Sequence, residues 1–466
     1  MGARILCVAD GLASVLYSSV ELARRLAAAG HRLTFAGPPD TRKLVEHHGL
    51  GFLPLAESRY HDFLEADART GVIQRLLDLR SRRERAKEAL AAGAFARAAL
   101  DLDPDLLLIN GEMHEHIIAA SATGLPTALM NTFVSIWKRP GLPPPHCLVR
   151  PGVGWQGSRA GISLLWFALR LRKWRRGLWR RSKRIGCDRL SVLRDLARES
   201  GFDLRGETDA GQWLIPFTYR RLPVLSLHAL EFEFPHRPPA GVHHVGPMVL
   251  ESRIDRPMTE EDRLRLDGIL EGRRRSAGDR RLIYAGFGSV FSADRAFLHR
   301  LLEITAERPH WDLVLSLSDR IDPAELGRLP DGTHVFSWLP QTEVLRHADA
   351  AVTHGGINTI DECVLSGVPV LVYCGFETDM GGTTARVVHH GIGIAGDRRR
   401  DGTGTICEHI DRLLHETHFA HTVERMRRIY AAYAEERVAE RTVEALLGGE
   451  ASTGPSDRSS ARGAGR

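Results

Sequence analysis

The sequence predicts an α/β protein made of two doubly wound parallel sheets. Three observations carry that expectation. Short apolar runs of strand length alternate with amphipathic segments of helix length, the pattern of strand–helix–strand units. The chain has 466 residues, more than one hydrophobic core usually serves, so two such units are expected. In the C-terminal part, Ala350 to Thr353 followed by His354-Gly-Gly-Ile-Asn-Thr359 reads as a buried strand entering a glycine turn and then a helix.

The bulk properties are those of a globular protein: 43% apolar residues, mixed charges and a formal net charge of +5. The six cysteines (7, 147, 187, 363, 374 and 407) have no CxxC spacing, which argues for reduced thiols in a cytoplasm and against a disulfide frame or zinc site. Asp10 interrupts the N-terminal apolar run and no cleavage site follows, so no signal peptide is expected. No run approaches the roughly 20 apolar residues of a spanning helix.

Taken in order, Arg4 to Ala9 is a continuous apolar strand of the buried parallel kind. The Asp10-Gly11 turn leads into a helix from Val15 to Ala29, with Leu16, Val20, Ala23 and Leu26 on one face and Gly30 at its end. Arg32 to Ala36 is the next strand, and a further helix precedes Gly49. Arg69 to Leu100 reads as polar, solvated helix. Asp105 to Asn110 and Leu125 to Met130 are buried strands, and Val224 to Leu227 with 235–246 closes a first domain, 1–246. A charged, Arg-rich linker is placed at 247–279. The second domain, 280–430, has strands at Leu282 to Ala285, Asp312 to Leu317, His334 to Phe336, Ala350 to Thr353 and Val370 to Tyr373. One long helix is read from Thr422 to Leu447, with 431–448 crossing back to the first domain. A disordered tail is assigned to 449–466, which lacks large apolar residues.

The glycines at 355 and 356 let backbone approach a ligand closely, and the helix opening near Asn358 and Thr359 offers free N–H groups and a positive dipole end to an anion such as a diphosphate. The flanks add Trp338, Pro340, Gln341, His354, Gly356, Thr359, Glu362, Gly367, Pro369 and Asp379 in that order. In this set the chain resembles the nucleotide-sugar glycosyltransferases of the UDP-glucuronosyltransferase type (family 1), whose fold is GT-B, two Rossmann-like domains facing across a cleft. The resemblance implies that Trp338 stacks on the donor base and Gln341 sits beside base or ribose. His354 with Gly355, Gly356, Asn358 and Thr359 would hold the phosphates, Glu362 the ribose and Asp379 a sugar hydroxyl. Gly288 and Ser289, after the first strand of the second domain, would lie near the phosphates. It further implies transfer with inversion and without a metal from a UDP- or dTDP-sugar to a hydroxyl on a lipophilic small molecule.

The resemblance fails at the base. The family's histidine falls on Val15, and the aspartate that orients it in the plant branch falls on Asn110. The remaining acceptors at that sheet edge are Glu112, His114 and Asp10, ranked in that order; Asp10 has the alternative of bonding its own turn. His116 lies close by, and a metal site from the His-Glu-His run is disfavoured because the imidazoles are two apart. The usual Asp-Gln ending is Asp379-Met380, and a thioether cannot replace an amide, so a modified donor sugar is open beside UDP-glucose. A catalytically silent homologue that binds a partner, and a nucleotide-sugar epimerase, are the alternatives.

From Ser163 to Arg184 the chain carries nine basic residues interleaved with Trp174, Leu178 and Trp179 and no acid. Such a helix fits the interface of an anionic membrane. An ordinary helix with a solvated basic face is the rival reading. A nucleic-acid patch is a third, and no motif accompanies it, so no nucleic-acid partner is expected.

Overall fold

The computed structural model describes residues 2–56, 58–253, 258–275, 280–287, 295–317, 321–375 and 378–449. Gly288, Ser289 and all of the expected tail but Gly449 lie outside them.

The first sheet has seven parallel strands: β1 (Arg4–Val8), β2 (Arg32–Gly37), β3 (Gly51–Pro54), β4 (Leu106–Asn110), β5 (Thr127–Asn131), and later β8 (Val224–Ser226) and β9 (Val242–His244), in the order β3-β2-β1-β4-β5-β8-β9. Between them β6 (Thr208–Asp209) and β7 (Thr218–Tyr219) form a separate antiparallel pair. The second sheet holds β10 (Arg281–Gly286), β11 (Trp311–Ser316), β12 (Thr333–Phe336), β13 (Ala350–Thr353), β14 (Val370–Val372) and β15 (Gly393–Ala395), in the order β12-β11-β10-β13-β14-β15. β4 and β13 are buried at every residue, because helices cover both faces of a parallel sheet. Strand order reverses beside β1 in the first sheet and beside β10 in the second. Open α/β sheets bind ligands beyond the strand ends at such points. The strand ends and loops there carry Asp10 and Glu112 in one unit and Gly286 and His354 in the other.

Three expectations change. The 247–279 segment is not all linker: Glu260–Arg275 is a helix whose Leu266 and Leu270 are buried in the second core. The expected C-terminal helix is two, Thr417–Glu435 and Val438–Leu447, broken where Arg437 takes φ +52°. The second reaches the core of the first unit, where Ala439 and Val443 join Leu22, Ala23 and Leu26, and the first touches that unit at its surface, where Tyr433 OH accepts from the Leu230 N–H at 3.1 Å. Residues 69–100 are not merely solvated either. Arg82 is buried, and its guanidinium donates to Asp67 (2.7 Å to Oδ2) and to the Arg75 carbonyl (2.6 Å). An arginine is tolerated inside only when its donors are satisfied in this way.

The two units meet through a buried network. Arg386, in the Met380–His390 helix of the second unit, donates from Nε to Glu233 Oε2 at 2.8 Å, and both side chains are fully buried. The other Glu233 oxygen accepts from the Ser135 N–H at 2.5 Å and faces His228 Nε2 at 2.9 Å. Phe234 lies under the Arg386 guanidinium at 4.6 Å. Burial alone would raise the Glu233 carboxyl, but Arg386 and His228 outweigh it and hold it well below the usual range. Beside this network the Gly382 N–H donates to Pro145 O at 2.7 Å. A Cβ on Gly382 would stand 2.3 Å from that oxygen, and one on Gly381 2.6 Å from His146 O. Met380-Gly-Gly is therefore a seat for the Pro143–Pro145 loop.

Removing one partner of a buried pair leaves an uncompensated charge, so Arg386→Ala should cost about 3–5 kcal/mol in urea unfolding. Replacing both by apolar residues (Glu233→Leu with Arg386→Met) should cost less than the sum of the single changes. Because the Glu233 carboxyl is depressed on folding, the pair's contribution is present above the unfolded carboxyl pKa of about 4.3 and fades as pH falls below it. Equal losses in single and double variants would refute this account.

Candidate active site

The donor half is built on β13 and its turn. Gly355 has φ +87°, and a Cβ there would press on Thr384 Oγ1 and Val372 Cγ1, each at 2.9 Å. Gly356 is extended and caps the Ile357–Leu365 helix, and a Cβ on it would stand 2.8 Å from His354 Nε2. Both glycines thus make room, one for the Thr384 and Val372 side chains and one for the imidazole. His354 is buried. Desolvation lowers its pKa to about 4, partly opposed by a hydrogen bond to the Gly286 backbone. Its Nδ1 has no hydrogen-bond partner among the described residues. The side chain is therefore a neutral imidazole with one nitrogen unspent. A positive charge at this turn comes from the helix end.

Glu362 is also buried, and both carboxylate oxygens are taken. Gln341 Nε2 donates to one and Arg253 to the other, while Gln341 Oε1 accepts from Tyr284 OH at 2.7 Å. Arg253 arrives from the segment joining the units and stacks its guanidinium 4.4 Å over the Tyr17 ring of the first unit. Sequence reasoning missed Arg253 and Tyr284. Neither stands in a spaced motif, and only folding brings them to Glu362. Trp338 is half-buried just before Gln341, in the turn after β12. Asn358 Nδ2 donates to the Ser14 carbonyl at 2.8 Å, so it ties the donor turn to the first helix, Ala13–Ala28. Thr359 is half-buried one residue on.

Across the cleft the carboxylates converge. Glu112 follows β4, and its N–H donates to Asn110 Oδ1 at 3.0 Å, so Asn110 shapes the turn that presents it. Burial, then repulsion from Asp10 and Asp379 with Arg189 opposing, raises the Glu112 carboxyl to about 7. Asp10 is raised by burial too, and its Oδ1 accepts from the Leu12 N–H at 3.0 Å, bonding its own turn. Asp379, from the second unit, is buried and raised by desolvation, and accepts a long 3.4 Å bond from the Val134 N–H of the first. Glu112 thus senses a carboxylate from each domain.

His114 does not join them. It is fully buried, its Nδ1 lies 3.1 Å from Tyr219 OH and its Nε2 3.2 Å from Ile215 O, and desolvation lowers its pKa to about 4. The helix His114–Ser121 begins at this residue, so the extended alternation that placed it beside Glu112 ends too early. His116 packs edge-on against Phe95. Val15 is core. Behind Glu112, Phe133, Ile136, Trp137, Leu214 and Tyr219 line an apolar crevice of only about 20 Å³. That is room for about one water molecule.

Glu362→Gln should weaken UDP and dTDP binding by about tenfold or more in calorimetry, since a carboxylate accepting charge-assisted bonds contributes about 1.5–3 kcal/mol. Arg253→Ala should leave a measurable nucleotide affinity, because Gln341 still orients Glu362. Unchanged binding in Glu362→Gln would exclude the carboxylate from the nucleotide site.

Comparison with known proteins agrees with this geometry. Residues 300–445 match the model of the erythromycin biosynthesis protein CIII-like C-terminal domain. The oleandomycin glycosyltransferase of Streptomyces antibioticus is 26% identical over 366 residues, 76% of this chain and 70% of the relative. The zeaxanthin glucosyltransferase of Pantoea ananas is 23% identical over 82% of this chain and 83% of its own length. Among solved structures, the kitacinnamycin glycotransferase superposes with TM-score 0.67 at 21% identity, over 96% of this chain and 99% of the other. VinC, solved with dTDP, does so with 0.58 at 19%, over 94% and 100%. Two parallel-sheet units, the donor turn and these relatives together show a nucleotide-sugar glycosyltransferase with the GT-B fold.

Proposed function

We propose that the enzyme moves a sugar from a UDP- or dTDP-sugar to a hydroxyl of a lipophilic small molecule, with inversion and without a metal, and that Glu112 is the base. The observation that carries this is the Glu112 carboxyl, raised to about 7 at the strand end that faces the donor turn. A base poised near working pH transfers protons most effectively. The acceptor oxygen attacks the anomeric carbon as the carbon–phosphate oxygen bond breaks. The hydroxyl proton passes to Glu112, and the bonding pair leaves with the nucleoside diphosphate. The Ile357–Leu365 helix end and neutral His354 would stabilise the departing charge, with Trp338 on the base, Glu362 on the ribose and Asp379 on a sugar hydroxyl. Asp10 acts through its charge, keeping Glu112 basic. The apolar lining beside Glu112 supports a lipophilic acceptor, as do relatives named for oleandomycin and zeaxanthin. A cytoplasmic place, with peripheral membrane contact through residues 163–184, belongs to the same reading. No helix among the described residues is long and apolar enough to cross a membrane.

Only the ionised Glu112 accepts a proton, so kcat/KM should rise with pH along a limb centred near 7. Glu112→Gln should lower kcat by about 100-fold or more and erase that limb while leaving nucleotide affinity in place. Asp10→Asn should shift the limb to lower pH, because it removes a like charge. A limb unchanged in Glu112→Gln sinks the assignment.

His354→Ala should reduce kcat/KM by about tenfold to a hundredfold, the usual scale for one lost donor in an anion site. His354→Gln, which keeps an N–H donor, should recover part of it. Equal activity in parent and alanine variant would remove His354 from the phosphate site.

A further inference from the structure

The exposed face of the Arg159–Lys183 helix is used by neither the donor site nor the acceptor crevice. Ile162, Trp166 and Leu169 bury one side of it, and Lys173 Nζ donates to Gln212 O and Leu214 O at 2.8 and 2.7 Å. On the opposite side Leu164, Phe167, Leu171, Trp174 and Leu178 recur at spacings of three and four, one stripe of an α-helix. They are exposed, Phe167 by 61% and Trp174 by 62%. A solvated helix face carries polar residues there, so this stripe is a surface left without cover.

The flanks say what covers it. Arg170 and Arg181 border the stripe on one side, and Arg172, Arg176 and Lys183 on the other, with Arg175 inside it; all are exposed. Among the described residues none of Arg172, Arg175, Arg176, Arg180 and Arg181 takes part in an ion pair. Trp179 is exposed by 60%, with Lys183 Nζ 4.8 Å from its ring. Ala168, Leu171, Arg172, Arg175, Arg176 and Trp179 enclose a shallow groove of about 530 Å³ with an apolar floor and three guanidiniums at its rim. A second copy docking by this face would set arginine against arginine, so charge complementarity calls for an anionic surface. The apolar stripe and two tryptophans call for one with a hydrocarbon boundary.

We infer that this helix lies in the headgroup layer of an anionic phospholipid bilayer, its stripe toward the acyl chains and its arginines on the phosphates. This rests on the peripheral-contact part of the proposed reading, whereas sugar transfer is measured in solution without vesicles, so the two fail separately.

The test is co-sedimentation of the full chain with phosphatidylcholine vesicles containing either no or about a third phosphatidylglycerol, at low and high salt. Anionic vesicles should bind at least about tenfold more tightly than neutral ones, with release as salt rises. Arg175→Gln, Arg176→Gln, Arg180→Gln and Arg181→Gln combined should weaken binding more than about a hundredfold, since each basic residue contributes about fivefold. Phe167→Ala with Trp174→Ala should weaken it about tenfold or more at fixed charge. Each variant should keep the parent's thermal unfolding and nucleotide binding. Three results would overturn the inference: no binding to anionic vesicles at low salt, equal binding by the Phe167/Trp174 variant, or capture of duplex DNA or RNA in preference to vesicles.

Discussion

The contact between Glu233 and Arg386 holds the two halves of the site in register. It joins the first domain's chain just after β8 to the helix that begins beside Asp379. A charge pair taken out of water is expensive unless every remaining hydrogen-bond site is filled. Here Ser135, His228, the Gly382 carbonyl and the Phe234 ring fill them. Such a network tolerates little rotation. It fixes how Asp379 meets Val134, and hence how far the donor turn stands from Glu112. His390 Nε2 to Phe232 O at 2.9 Å and Tyr433 OH to Glu231 at 2.8 Å extend the same seam.

Within that frame the cleft separates opposite electrostatic tasks. The second domain offers a helix end and an imidazole kept neutral by burial, suited to a departing diphosphate. The first offers Asp10 and Glu112, whose carboxyls burial raises and, at Glu112, neighbouring acids raise further, suited to taking a proton. Neither half does this alone: Glu112 is raised partly by Asp379, which belongs to the other domain. The raised carboxyl of Glu112 is thus a property of both domains together.

The donor motif was legible because its chemistry is local. The glycine turn at 355–356 and Glu362 fall within one strand–turn–helix stretch, so sequence spacing alone orders them. The base was half legible. Glu112 and His114 look equivalent along the chain, two residues apart on one loop. The structure separates them because the helix starts at His114 and turns its ring into Phe217 and Tyr219. Arg253 was not legible, since its partner Glu362 lies 109 residues away and nothing between them marks the pairing.

The sequence by itself determined the fold class, most of the strands and the nucleotide-sugar signature. Apolar runs, glycine turns and helix starts act over distances shorter than one structural unit. Only the tertiary structure decided which acids face the cleft, that the C-terminal helix breaks at Arg437, and that Met380-Gly-Gly is a docking seat. Those outcomes depend on long-range packing between domains, where burial and neighbouring charge, not residue type, set what a side chain can do.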